Sequence, residues 1–275
     1  MNFTPAPIKI NPLAQDYEML TLELPFCQNT ESLLGMEHLD SFDFFINMVS
    51  HHVKYYLDKS LNGQQIYDVY DLVYANLFEG KDLIHGITTD SRVWNHIKHG
   101  AEYFVTYMRY GSELKRKLYG MPLFKKILGL LEKSFENVLP YDLVLLSAHD
   151  ITVFNLLTAL NVIHPQCFID KMKGDTGNQH CHFPNYASQI LIELWEKDGV
   201  PKIKILYEKE VINLCKTEDG ECTLRQLQDL FEQDFANVRL EDIFSHCEAE
   251  QVCRLNDEDE LSETLPLCEF NDNHW

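Results

Sequence analysis

Apolar residues recur at helical spacing through most of the first half of the chain. Residues 39–62, "LDSFDFFINMVSHHVKYYLDKSLN", carry such a stripe and stop at Asn62-Gly63. Residues 64–79 repeat it and end at Gly80. Two longer helices are predicted in "SRVWNHIKHGAEYFVTYMRYG" and "MPLFKKILGLLEKSFENVL", the second with Pro122 in its first turn. Residues 30–138 therefore read as mostly helical, with no internal repeat.

The period changes at Pro140. Residues 142–147 form a short apolar run that predicts a buried strand, and 151–161 predict a helix with Ile151, Phe154, Leu157 and Leu160 on one face. "QILIELWEKDGVPKIKILYE" predicts two strands joined by an Asp-Gly-Val-Pro turn, with alternation over Lys202-Ile203-Lys204-Ile205. Beyond Cys215 come a loop, one helix near 223–235 and an acidic tail.

Composition narrows the classes. The 275 residues, 45% hydrophobic and 24% charged, suffice for one large domain or two smaller ones. No apolar run approaches the roughly 18 residues of a membrane helix. A net charge of −20 argues against nucleic acid and anionic membranes as partners. Residues 231–275 hold 13 acids against two arginines, the pattern of a solvated surface segment.

Eight cysteines make an even set without any C-x-x-C pair, against a zinc ribbon or a thioredoxin-type site. Cys215 and Cys222 bracket the flexible, Gly-containing turn "KTEDGE", so a short local disulfide is expected there. Cys27 is expected to pair with Cys167 or Cys181. Disulfides imply a secretory compartment, whereas the start "MNFTPAPIKINPLAQ" does not read as a signal peptide. Residues upstream of Met1 would reconcile the two.

The seam at Ser147-Ala148-His149-Asp150 carries the candidate chemistry. A strand running into a helix would put His149 and Asp150 at the strand's carboxyl end and the helix's amino end. Open α/β sheets bind ligands at that edge, and a helix amino end favours an anion. An imidazolium adds a full charge, and a carboxyl group held near an anion has its pKa raised and could donate a proton. The plainer alternative makes Asp150 a helix N-cap and His149 a turn residue.

"LLSAHDITVFNLLTALNV" resembles the C-terminal His-Asp motif of the histidine acid phosphatases, in the branch of the lysosomal and prostatic enzymes. "LTLELPFCQN", "YASQILIELWEKDG" and "NLCKTEDGECTLRQLQDL" resemble further segments of that branch, in the same order, over roughly residues 5–250. The resemblance implies a three-layer α/β sheet of phosphoglycerate mutase type, with helices on both faces and a mostly helical cap. Residues 1–29 and 139–212 would belong to the core, 30–138 to the cap, and 213–275 to a cysteine-containing C-terminal region. His149 would bind phosphate and Asp150 would protonate the leaving group, pointing outward rather than back onto its helix. Neither metal nor cofactor is implied. The ligand would be a phosphate monoester or inorganic phosphate, and the compartment lysosomal or extracellular.

The family's nucleophilic His, in an Arg-His-Gly-x-Arg motif on the central first strand, has no match in these residues. "KHGAE" at Lys98–Glu102 imitates it, but Lys and Glu stand where two arginines clamp phosphate, within a helical pattern. His99 is therefore expected to be a surface or interface histidine, and His51-His52 a solvated pair without a metal-spaced partner. Three functions follow: part of an acid phosphatase, a phosphatase-like binding or structural protein without catalysis, or a helical interaction module. Without the first strand, residues 142–147 have an unpaired edge, which a homodimer or a partner protein would cover.

Overall fold

The computed structural model describes residues 40–81, 87–88, 91–110, 113–174 and 180–235. Cys27, the last three cysteines and the acidic tail beyond residue 235 lie outside the described residues. Seven described helices and one small sheet follow in the order α1 (Asp40–Leu57), α2 (Gly63–Phe78), α3 (Arg92–Tyr110), α4 (Glu113–Phe135), α5 (Asp150–Ala159), α6 (Pro165–Met172), β1 (Ile190–Lys197), β2 (Val200–Tyr207), β3 (Glu210–Val211), β4 (Glu221–Cys222) and α7 (Leu224–Phe235).

Local chemistry sets the helix ends. Asn62 and Gln65 form a capping box at the start of α2, each side chain bonding the other's backbone N–H. His164 caps α6 by accepting from the Cys167 N–H at 3.2 Å, with Pro165 in the first turn. The helix expected to begin near Met121 starts earlier, at Glu113, so Pro122 falls inside α4 instead of at its head. Gly120 beside it lets α5 approach closely, because a Cβ there would overlap the Cβ of Ala159.

α1 and α2 pack on α3, while α4 packs on α5 and α7. Val49, Val53, Ile66, Val73 and Ile97 are all buried where α1–α3 meet. The second half of the core forms around Phe154, Leu157, Ile163 and Phe168. Arg116 of α4 joins two helices, donating to the Ala159 carbonyl at 3.1 Å and to Asp234 at 2.9 Å.

The sheet is antiparallel, in the order β1-β2-β3, with β4 also paired to β2. The turn between β1 and β2 is only Asp198-Gly199, at φ of 55° and 74°, so Val200 and Pro201 belong to β2 rather than to the turn. Ile190, Ile192 and Ile205 face α4, α5 and α7 across a small apolar gap of about 10 Å³. Two disulfides are present among the described residues. Cys215–Cys222 closes the expected turn, and Cys167 pairs with Cys181 instead of with Cys27, tying α6 to the loop before β1.

The predicted strand at 142–147 is not one. The segment runs without ladder hydrogen bonds into α5, and Leu143 and Leu145 are 77% and 86% exposed. A strand exists only against a hydrogen-bonded neighbour, and no described strand lies beside this one. Its apolar composition reads as buried only if such a neighbour is assumed.

Candidate functional site

His149 and Asp150 sit side by side where the exposed segment becomes α5. His149 is the N-cap, with extended backbone and no capping bond from its side chain. Asp150 is the first helical residue. Its Oδ1 accepts from the Ile151 N–H at 2.7 Å, so the carboxylate turns back onto its own helix and not outward as the sequence led us to expect. The physical reason is the helix amino end itself, where a carboxylate within the first turn meets both a free N–H and the positive end of the dipole.

The same amino end has few donors left for another anion. The Thr152 and Val153 N–H groups already donate to the His149 carbonyl, at 3.1 and 3.3 Å. Both site residues are exposed, and the imidazole is not buried against apolar side chains. Behind them Phe154, fully buried, contacts Phe183 at 5.1 Å between ring centroids and anchors the helix. What the seam can do chemically is present one imidazole and one carboxyl group, adjacent and accessible, to a solute.

One buried aromatic residue interacts with the seam electrostatically. Tyr70 of α2 is 4% exposed and stacks between Tyr74 and Trp94. Burial first, then the charge of Glu102 and more weakly those of Tyr74, Tyr67 and Asp150, holds its phenol protonated far above the ordinary range. Tyr70 thus lies within electrostatic reach of the seam, which nothing in its sequence surroundings announced.

The imitation motif resolves as structure. Glu102 is fully buried on α3, with one oxygen 3.1 Å from His99 Nδ1 and the other accepting from the Phe183 N–H at 3.3 Å. His99 is thereby an interface residue, as expected. His51-His52, expected to stand as a solvated pair, has company: the ring of His96 on α3 lies 4.4 Å from that of His52. Residues of two different helices meet there, a proximity that spacing along one helix does not show. Among the described residues no group of three or more His, Cys, Asp or Glu side chains could hold a metal ion. No described helix is long and apolar enough to cross a membrane.

Comparison with protein families settles the kinship. The family model of the histidine phosphatase superfamily, branch 2, matches residues 15–208, well over half of the chain. The chain belongs to that superfamily. A comparison with curated proteins gives no match. In this branch-2 histidine phosphatase chain the matched stretch holds the seam, the helices before it and the β1–β2 hairpin after it.

Proposed function

We propose that this chain is a histidine acid phosphatase-type domain that engages a phosphate monoester at the seam. His149 binds the phosphoryl group and Asp150 protonates the departing oxygen. The observation that carries this is the adjacency of an exposed imidazole and an exposed carboxyl group at the amino end of α5, inside the family match. An imidazolium offsets the anion's charge, and the phosphate in turn favours the protonated form of Asp150, the form a general acid needs.

Hydrolysis also needs a nucleophile, and the sequence contains no Arg-His-Gly. His99 cannot serve while its ring is held by buried Glu102. Turnover by this route therefore requires a histidine from outside these 275 residues, and by themselves they bind rather than hydrolyse. The full three-layer sheet of the acid phosphatases belongs to the same proposal, with a further strand or partner covering the exposed run around Leu143 and Leu145. The two disulfides fit a lysosomal or extracellular setting.

A second function, phosphate binding without catalysis, is favoured by one observation: Asp150 already has a structural bond to the Ile151 N–H. Inorganic phosphate titrated into the chain and followed by ³¹P NMR, beside an aryl phosphate assay at acid pH, tests binding and turnover separately. Saturable binding that His149→Ala removes, with no turnover, is the expected result. Hydrolysis abolished by Asp150→Asn would show a nucleophile within the chain. Phosphate binding unaffected by His149→Ala would remove the seam from consideration.

A further inference from the structure

A second constellation of polar side chains lies between the segment 180–188 and the β2–β3 turn. Glu208 and Lys209 form the two-residue turn between the paired residues Tyr207 and Glu210, at φ of 48° and 74°. Such turns favour Asn and Gly, and side chains with a Cβ are strained there. Opposite, Ala187 is also left-handed, at φ 59°. Three unfavourable backbone conformations thus flank one group of side chains, the pattern expected where positioning outweighs local stability.

What they position is a carboxylate and an imidazole. Glu208 Oε1 accepts from Ser188 Oγ at 2.6 Å and from Asn185 Nδ2 at 3.2 Å. Asn185 is itself fixed by the Tyr74 hydroxyl at 2.8 Å. With Oε1 so engaged, Oε2 faces His182 Nε2 at 3.8 Å. The other ring nitrogen, Nδ1, lies 3.0 Å from the Phe183 carbonyl. A carbonyl only accepts, so the Nδ1 proton is fixed there and a neutral ring presents a lone pair at Nε2. The imidazole is held flat by stacking on buried Tyr207, with centroids 5.5 Å apart.

The distance decides between two uses of this pair. At 3.8 Å, Nε2 and Oε2 are too far apart for a hydrogen bond. Two ligand bonds of about 2.0–2.2 Å to one ion span that gap with little movement. Each ligand atom also has the outer partner that metal ligands use, a carbonyl for the imidazole and hydroxyl and amide donors for the carboxylate. We propose that His182 Nε2 and Glu208 Oε2 are the two protein ligands of a divalent cation. The imidazole and carboxylate donors suit Zn²⁺ among the common ions. No third His, Cys, Asp or Glu completes the set among the described residues, so water fills the other positions. That leaves an ion with open coordination.

This site does not depend on the seam and is tested without any phosphate. The untagged full chain, stripped with chelator and titrated with Zn²⁺ at neutral pH in a calorimeter, should bind one equivalent. His182→Ala and Glu208→Gln should each weaken that binding at least tenfold. Ser188→Ala, which removes a donor from the carboxylate's outer side, should weaken it by about tenfold as well. Glu208→Gln retains the acceptor for Ser188 and Asn185, so its unfolding midpoint should match the parent's. Should it unfold early nonetheless, His182→Gln decides, since the one hydrogen bond of that ring goes to its own neighbour's carbonyl. Absence of stoichiometric binding, or an affinity unchanged in His182→Ala and His182→Gln, overturns the proposal.

Discussion

Asp150 and the Ile151 N–H are joined by a 2.7 Å hydrogen bond, so the one carboxyl group at the seam occupies the place an anion would take. Phosphate arriving at the amino end of α5 meets a like charge unless Asp150 is protonated. Asp150→Asn should therefore tighten binding of inorganic phosphate at neutral pH. The scale of a charge at a helix terminus, about 0.3–1 kcal/mol, corresponds to roughly two- to fivefold. Titration followed by ³¹P NMR checks it, and weaker binding in the variant would mean that the carboxyl group donates to the anion instead.

Gly120 lies directly against Ala159 where α4 packs on α5. A methyl group on residue 120 would overlap the Ala159 Cβ and sit 3.2 Å from the Asn155 carbonyl. Both opposing atoms belong to or adjoin helix backbone, which cannot swing aside as the tip of a long side chain can. Gly120→Ala should cost about 1–3 kcal/mol through forced separation of the helices. That exceeds the gain in helix propensity, which is at most about 1 kcal/mol. Gly129→Ala, with open space around the same helix, should instead be neutral or stabilising. Denaturant melts of the two variants give the comparison directly.

Local signals in the sequence carried much of this architecture. The periods of α2 and α3, the hairpin and the Cys215–Cys222 staple all arise among near neighbours. What was not legible depends on distant partners. Residues 142–147 have the composition of a strand, yet strand formation requires a neighbour that composition cannot supply. Pro122 reads as a helix start, but the turn before it holds, and α4 continues through the proline. Glu102 receives the Phe183 N–H from 81 positions away, so its burial has no local signature. The orientation of Asp150 is set by the N–H and the dipole at the amino end of its own helix, which resemblance to a family motif does not show.

The exposed apolar run makes a solubility prediction. Leu143 and Leu145 lie 77% and 86% exposed in an extended segment without ladder bonds, an edge that invites pairing with another chain. Leu143→Lys/Leu145→Lys should reduce concentration-dependent light scattering, while the thermal midpoint shifts by no more than a surface substitution does, within about 0.5 kcal/mol. A large loss of stability in the double variant would show that these leucines are covered in solution.

The cap of α6 makes stability depend on pH, with a sign that follows from one hydrogen bond. His164 Nδ1 accepts from the Cys167 N–H at 3.2 Å, which only an unprotonated nitrogen can do. Burial lowers the pKa of this ring below its ordinary 6.5, and the charge of Asp170 opposes that shift only in part. The unfolded chain therefore takes up the proton first as pH falls. The contribution of His164 is complete above pH 6.5 and declines below it, until the folded-state pKa is also passed. His164→Asn, a cap that does not titrate, should keep the stability seen at neutral pH and remove part of its decline as pH falls below 6.5. Unfolding midpoints across that interval decide the matter. Parallel curves for parent and variant would mean that the cap stays intact when the ring is protonated, and that other groups carry the acid sensitivity.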